Sequence, residues 1–190
     1  MLGRDLQAVM QDRDFVSLDR DELDITDVEA LKTKILDVQP DVIINAAAFK
    51  DTNKAESEEA LANEINGYAV GRLAKICRDF GITLVHISTD YVFDGRRRDG
   101  YAEEDATCPI NAYGRSKALG EQLLVDEMEH VIEGVDLEEG KYFIIRTSYL
   151  FGKHGVSLVS KLMDNARKGE KFKVIILSFG IHQHIPCRIP

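Results

Sequence analysis

Cysteine is scarce in these 190 residues, and what there is falls into no pattern. Cys77, Cys108 and Cys187 are odd in number and far apart, with no C-x-x-C pair and no metal-ligand spacing. That excludes a disulfide framework and a structural zinc site, and it leads us to expect reduced thiols in a reducing cytoplasm. Long apolar runs are missing too. Residues 42–49 form one of the longest, far too short to span a bilayer, so no membrane partner is expected. No signal-peptide pattern opens the chain. Positive charge is in deficit: 24 Lys and Arg stand against 33 Asp and Glu, for a net charge of -9. A nucleic-acid groove is therefore not expected. The one basic run, Arg96-Arg97-Arg98, adjoins Asp99-Gly100 and reads as a solvated loop tip.

What is present is an alternation of short apolar runs with longer amphipathic ones. The hydrophobic fraction of 44% and charged fraction of 30% suit one globular domain with a real core. Strands are predicted at 15–18, 41–46, 82–87, 142–146 and 171–177. Helices are predicted at 27–38, 56–80, 111–130 and 158–167. Thr26 is the expected N-cap of the first of these helices, with Pro40 beyond its end. The long helix carries Leu61, Ile65, Val70, Leu73 and Ile76 as its apolar stripe and stops at Gly81, a natural residue for a left-handed C-terminal turn. The acidic stretch 133–139 reads as a solvated connection. The alternation implies β-α-β units: an α/β fold, with a doubly wound parallel sheet covered on both faces.

The chemistry is concentrated in Tyr113-Gly114-Arg115-Ser116-Lys117, with Ser88-Thr89-Asp90-Tyr91-Val92-Phe93-Asp94-Gly95 upstream. Tyr113 and Lys117 stand at i and i+4, which on a helix puts phenol and ammonium on one face. A lysine beside a tyrosine stabilises the phenolate and pulls its pKa down from about 10. Such a phenol suits proton donation to a ketone. Thr89, ending a strand, could bind the same oxygen.

These blocks resemble the extended short-chain dehydrogenase/reductases and, within them, the dTDP-4-dehydrorhamnose reductases. The resemblance also runs through 40–48, Lys54-Ala55-Glu56-Ser57-Glu58, Gly120-Glu121, Ile145-Arg146-Thr147-Ser148 and Gly152. It implies a Rossmann-like fold and NADPH or NADH as cofactor. The implied reaction is reduction of the 4-keto group of dTDP-4-dehydro-6-deoxy-L-mannose, in a cytoplasmic enzyme that could be a homodimer. It further implies roles. Tyr113 matches the proton donor, and Lys117 the lysine that tunes it and holds the nicotinamide ribose. Thr89 matches the hydroxyl that orients the keto oxygen. Asp90 matches a sugar contact, and Tyr149 replaces the family's tryptophan at the sugar wall. Asp24 and Ile25 match the pair beside the adenine, while Ala46, Ala47 and Ala48 match the small residues under the cofactor. Leu2 and Gly3 match the end of the glycine-rich pyrophosphate turn.

Taken without the resemblance, Asp24 is equally a helix-entry residue and the three alanines a tightly packed strand end. The G-x-x-G-x-x-G turn survives only as Gly3, so the first strand is expected to be absent and dinucleotide binding weak. The expected organisation is an incomplete nucleotide-binding domain over 1–177 and an irregular tail over 178–190. Read one nucleotide earlier, codons for 181–186 can encode the family's Ser-Pro-Thr-Tyr-Thr, which suggests a frame change. His182 and His184 lack a third ligand, so no metal site is expected. Two other readings stay open: a non-catalytic regulatory subunit on the same fold, like the methionine adenosyltransferase β subunit, and a non-functional fragment.

Overall fold

The structure, a computed structural model, describes residues 2–130, 140–148, 150 and 167. Three strands form its sheet: β1 (Val42–Asn45), β2 (Thr83–Thr89) and β3 (Tyr142–Thr147). They lie in the order β1-β2-β3, and both pairings are parallel. The register sets Asn45 beside His86, and His86 beside Ile144. Among the described residues, six bounded α-helices accompany the strands: α1 (Leu2–Val9), α2 (Val28–Val38), α3 (Thr52–Ser57), α4 (Glu59–Asn63), α5 (Ala69–Asp79) and α6 (Ala112–Met128). This is the parallel α/β, Rossmann-like architecture that the alternation predicts. Among the described residues no helix is long and apolar enough to cross a membrane.

Local chemistry explains the helix ends. The cap of α2 is Asp27, not Thr26; its carboxylate accepts the Ala30 N–H at 3.0 Å. Thr26 is instead drawn to Asp24, whose Oδ1 accepts both its N–H and its hydroxyl. Asn111 caps α6 through the Gly114 N–H at 2.7 Å. Helix α5 ends as expected at Gly81, with φ +68° and Ile82 N–H reaching back to Cys77 O.

The predicted long helix over 56–80 is broken. Glu58, at φ −122°, separates α3 from α4, and a π turn (Glu64–Tyr68) separates α4 from α5. Asn66 sits in that turn and bonds the Phe49 backbone at both its N–H and its carbonyl. The interruption changes the phase of the stripe, and Leu61 ends up exposed. The strand predicted at 15–18 does not form either. Phe15, Val16 and Leu18 are exposed, and no described strand pairs with them.

The main core lies between one sheet face and the helices. Leu31 and Ile35 of α2, Val70, Leu73 and Cys77 of α5, and Leu124 and Met128 of α6 bury Leu84, with Ile43 and Ile144 packed against them. On the other face Val42, Ile44, Phe143 and Ile145 are exposed, so among the described residues only one face is covered. The elements predicted at 171–177 and over 158–166, the acidic connection, Cys187, His182 and His184 lie outside the described residues.

Candidate active site

The carboxyl ends of β1 and β2 and the first turns of α6 converge, the usual place for a site in an open parallel sheet. Strand β2 ends at Thr89 and runs straight into a 3-10 turn (Asp90–Val92), which Thr89 caps. The Thr89 hydroxyl accepts the Tyr91 N–H at 3.2 Å and lies 3.1 Å from Asp90 Oδ1. Helix α6 comes unusually close to this turn. A Cβ on Gly114 would stand 2.2 Å from Tyr91 O, so only glycine permits the approach. That approach brings the Tyr113 phenol within electrostatic reach of the Thr89 side chain. The Tyr91 ring meets the Tyr113 ring edge-on at 5.7 Å.

The electrostatics around Tyr113 differ from the sequence expectation. The Tyr113 phenol is held above the ordinary tyrosine range, first by burial; the Thr89 side chain opposes this, while Asp90 and Tyr91 add to it. Lys117 does not pull the phenol down, because its ammonium head is engaged elsewhere. Nζ donates to Ile87 O at 2.7 Å and lies 3.1 Å from His86 Nε2. Burial lowers Lys117 from the usual lysine value to about 8, with Glu121 opposing the shift.

Beneath these groups lies a polar layer that the sequence reading did not single out. His86 is fully buried, and its Nδ1 lies 3.1 Å from Asn45 Nδ2. Glu121 bonds the Ser88 hydroxyl and forms a two-pronged ion pair with Arg146, with Nη2 to Oε2 at 2.8 Å. Asn66 Nδ2 reaches Ser116 Oγ at 2.9 Å, and Ser116 donates on to Tyr113 O at 2.8 Å. A signal was available: Asn45, His86 and Ser88 occupy the inward positions of otherwise apolar strands, where an unpartnered polar group would be costly.

The expected cofactor residues divide. Ala46, Ala47 and Ala48 leave the end of β1 exposed, with nothing larger than a methyl to block a flat ligand, and Lys117 stands nearby at the end of β2. These residues fit the nicotinamide end of a dinucleotide. Asp24 is held below the usual carboxylate range by its Thr26 hydrogen bonds and faces Arg20 at 3.8 Å, while Ile25 packs on the core. Leu2 and Gly3 stand at the start of α1. That helix has no buried residue, and a Cβ on Gly3 would meet nothing within 4 Å. Tyr149 lies outside the described residues.

Comparison with known proteins points one way. The sequence profile of the RmlD substrate binding domain matches residues 1–181. A dTDP-4-keto-6-deoxy-D-glucose reductase of Streptomyces niveus is 41% identical over 95% of this chain and 60% of its own length. A dTDP-4-dehydrorhamnose reductase of Burkholderia thailandensis is 39% identical over 94% of this chain and 55% of its own. The crystal structure of dTDP-4-dehydrorhamnose reductase from Bacillus anthracis, in complex with NADP, superposes with a TM-score of 0.79 at 36% identity, covering 88% of this chain and 56% of that one. The chain thus spans little more than half the length of these relatives.

Proposed function

Because this chain belongs to the RmlD substrate binding domain family, we propose that it serves an NAD(P)H-dependent sugar-nucleotide 4-ketoreductase, converting dTDP-4-dehydro-L-rhamnose to dTDP-L-rhamnose. The observation that carries this reading is the approach of the Tyr113 phenol to the Thr89 side chain at the end of β2, with Lys117 one helical turn along. Of the three relatives named above, one is a dTDP-4-keto-6-deoxy-D-glucose reductase and two are dTDP-4-dehydrorhamnose reductases.

A reduced nicotinamide, when bound, supplies hydride to the carbonyl carbon. The protein's part is placement and protonation. As negative charge grows on the keto oxygen, the Thr89 hydroxyl and the Tyr113 phenol both donate to it, and Tyr113 releases its proton. A phenol held above its ordinary range by burial stays protonated at neutral pH, which is the state a donor needs. Asp90 stands beside Thr89 to receive a sugar hydroxyl. Lys117, anchored on Ile87 O, keeps a further N–H for the nicotinamide ribose. Ala46, Ala47 and Ala48 admit the flat ring, with Asp24 and Ile25 toward the adenine.

The test follows nicotinamide absorbance in the presence of dTDP-4-dehydrorhamnose with NADPH, then with NADH. Tyr113→Phe should lower turnover by about 10²-fold or more, the scale of a lost general acid. Full activity in that variant would remove Tyr113 as donor. Cofactor binding by calorimetry without any turnover would favour instead a non-catalytic binding subunit on the same fold.

A further inference from the structure

The polar groups beneath the site form a chain of hydrogen bonds whose direction is set at one end. The Ala47 backbone N–H can only donate, and it donates to Asn45 Oδ1 at 3.1 Å. The Asn45 amide therefore turns Nδ2, which is a donor only, toward His86 Nδ1 at 3.1 Å. His86 Nδ1 must supply the lone pair. A neutral imidazole whose lone pair is on Nδ1 carries its proton on Nε2. That N–H lies 3.1 Å from Lys117 Nζ.

An ammonium offers three donors and no lone pair, whereas an amine offers one lone pair. The chain of bonds thus suits the amine form of Lys117 and opposes the ammonium. Solvent does not relieve the conflict: Asn45 is 4% exposed, His86 0% and Lys117 1%. Imidazolium would not relieve it either, since it would set a second N–H against Asn45 Nδ2, and burial and Lys117 hold His86 down to about 2. The bond from Nζ to Ile87 O at 2.7 Å serves either form of the lysine. Among the described residues, the charged group that acts on Lys117 is Glu121 on α6, and Tyr113 stands one turn before the lysine on the same helix. Glu121 pulls the lysine toward ammonium, but its carboxylate is shared with Arg146 and Ser88.

We propose that Asn45 and His86 are positioning residues for Lys117: by fixing the imidazole proton on Nε2, they poise the lysine between ammonium and amine in place of a permanent cation. Its consequence for turnover rests on the reductase reading above; the order of the hydrogen bonds does not.

Asn45→Asp reverses the order. A carboxylate only accepts, so it keeps the Ala47 N–H with one oxygen and takes an Nδ1–H with the other. His86 Nε2 then offers its lone pair to the ammonium. The measurement is NMR of the full chain, with 15N-labelled histidine for the tautomer and 13Cε-labelled lysine for the Lys117 titration. We expect the Nε2–H tautomer in the wild type and Nδ1–H in Asn45→Asp. The Lys117 midpoint should rise in that variant by about one pH unit or more, the scale of one good hydrogen bond. Asn45→Asp in a His86→Phe background measures the effect of the added charge alone, and the shift there should be smaller. An Nδ1–H tautomer in the wild type overturns the proposal without any variant, as does an equal shift in both backgrounds. If the protein turns over, the alkaline limb of kcat should move with the lysine midpoint. An NMR shift without turnover would sink the reductase reading and leave the hydrogen-bond order standing.

Discussion

At Lys117 the cost of burial and the benefit of hydrogen bonding can be separated by pH. The unfolded lysine holds its proton up to about 10.5 and the folded one releases it near 8. Between those values the unfolded chain binds one proton more, so stability rises with pH. The penalty is complete below pH 8 and gone above 10.5. We therefore expect the unfolding free energy of the wild type, relative to Lys117→Met, to climb by a few kcal/mol across that window. Cys77 and Tyr142, both held up to about 12, act in the opposite sense but cancel, because both proteins contain them. Denaturant titrations at several pH values check this; a flat difference would mean that the ammonium is not desolvated. Spacing and context single out Tyr113, Lys117 and Thr89, because the proposed chemistry needs those residue types. Their tuning was not legible. It depends on which atoms sit at 2.7 and 3.1 Å from Nζ, and those belong to Ile87 and His86, some thirty residues upstream and fixed only by the packing of α6 on β2.

Two glycines show how closely the elements approach. A Cβ on Gly120 of α6 would stand 2.0 Å from the Asn66 carbonyl, part of the π turn's backbone. A Cβ on Gly67, in the same turn, would stand 2.6 Å from Leu119 Cδ2, the far end of a flexible side chain. Alanine is the better helix former at both positions, by about 1 kcal/mol. Leucine can swing aside and a backbone carbonyl cannot. Gly120→Ala should therefore destabilise by about 1–3 kcal/mol, whereas Gly67→Ala should be close to neutral. Thermal or denaturant unfolding decides; equal losses would mean that the two helices do not pack at this distance. Element by element, the sequence was readable where one periodicity held throughout, as in α2, β2, α6 and β3. It misled at 56–80, where apolar spacing suggests one helix while Asn66 is bound to Phe49, a contact no periodicity encodes. It misled again at 15–18, because β character without a paired neighbour does not make a strand.

Across the whole molecule, Glu121 ties together three elements: its own helix α6, Ser88 of β2 and Arg146 of β3. Arg146 also lies over the Phe93 ring at 5.0 Å and donates to Glu103 O at 3.0 Å. A carboxylate this deeply buried is costly once its partner is gone. Arg146→Met should lose about 3–5 kcal/mol by stranding Glu121, and adding Glu121→Leu to it should recover part of that loss. A double variant less stable than the single would mean that the pair stabilises more than its burial costs. The parallel topology was foreseeable from the alternation of apolar runs, yet this tie was not, since its members lie far apart in sequence. The π turn carries one last consequence, for chain length. An α-helix advances by about 100° per residue, so a turn that holds one residue more offsets everything beyond it by that angle. Deleting one residue of the turn other than Asn66 removes the extra residue and its offset together, so a regular helix would still present Leu73, Ile76 and Cys77 to the sheet. The length of this segment can therefore change by one without turning the core face away, and what holds the turn in place is the grip of Asn66 on Phe49.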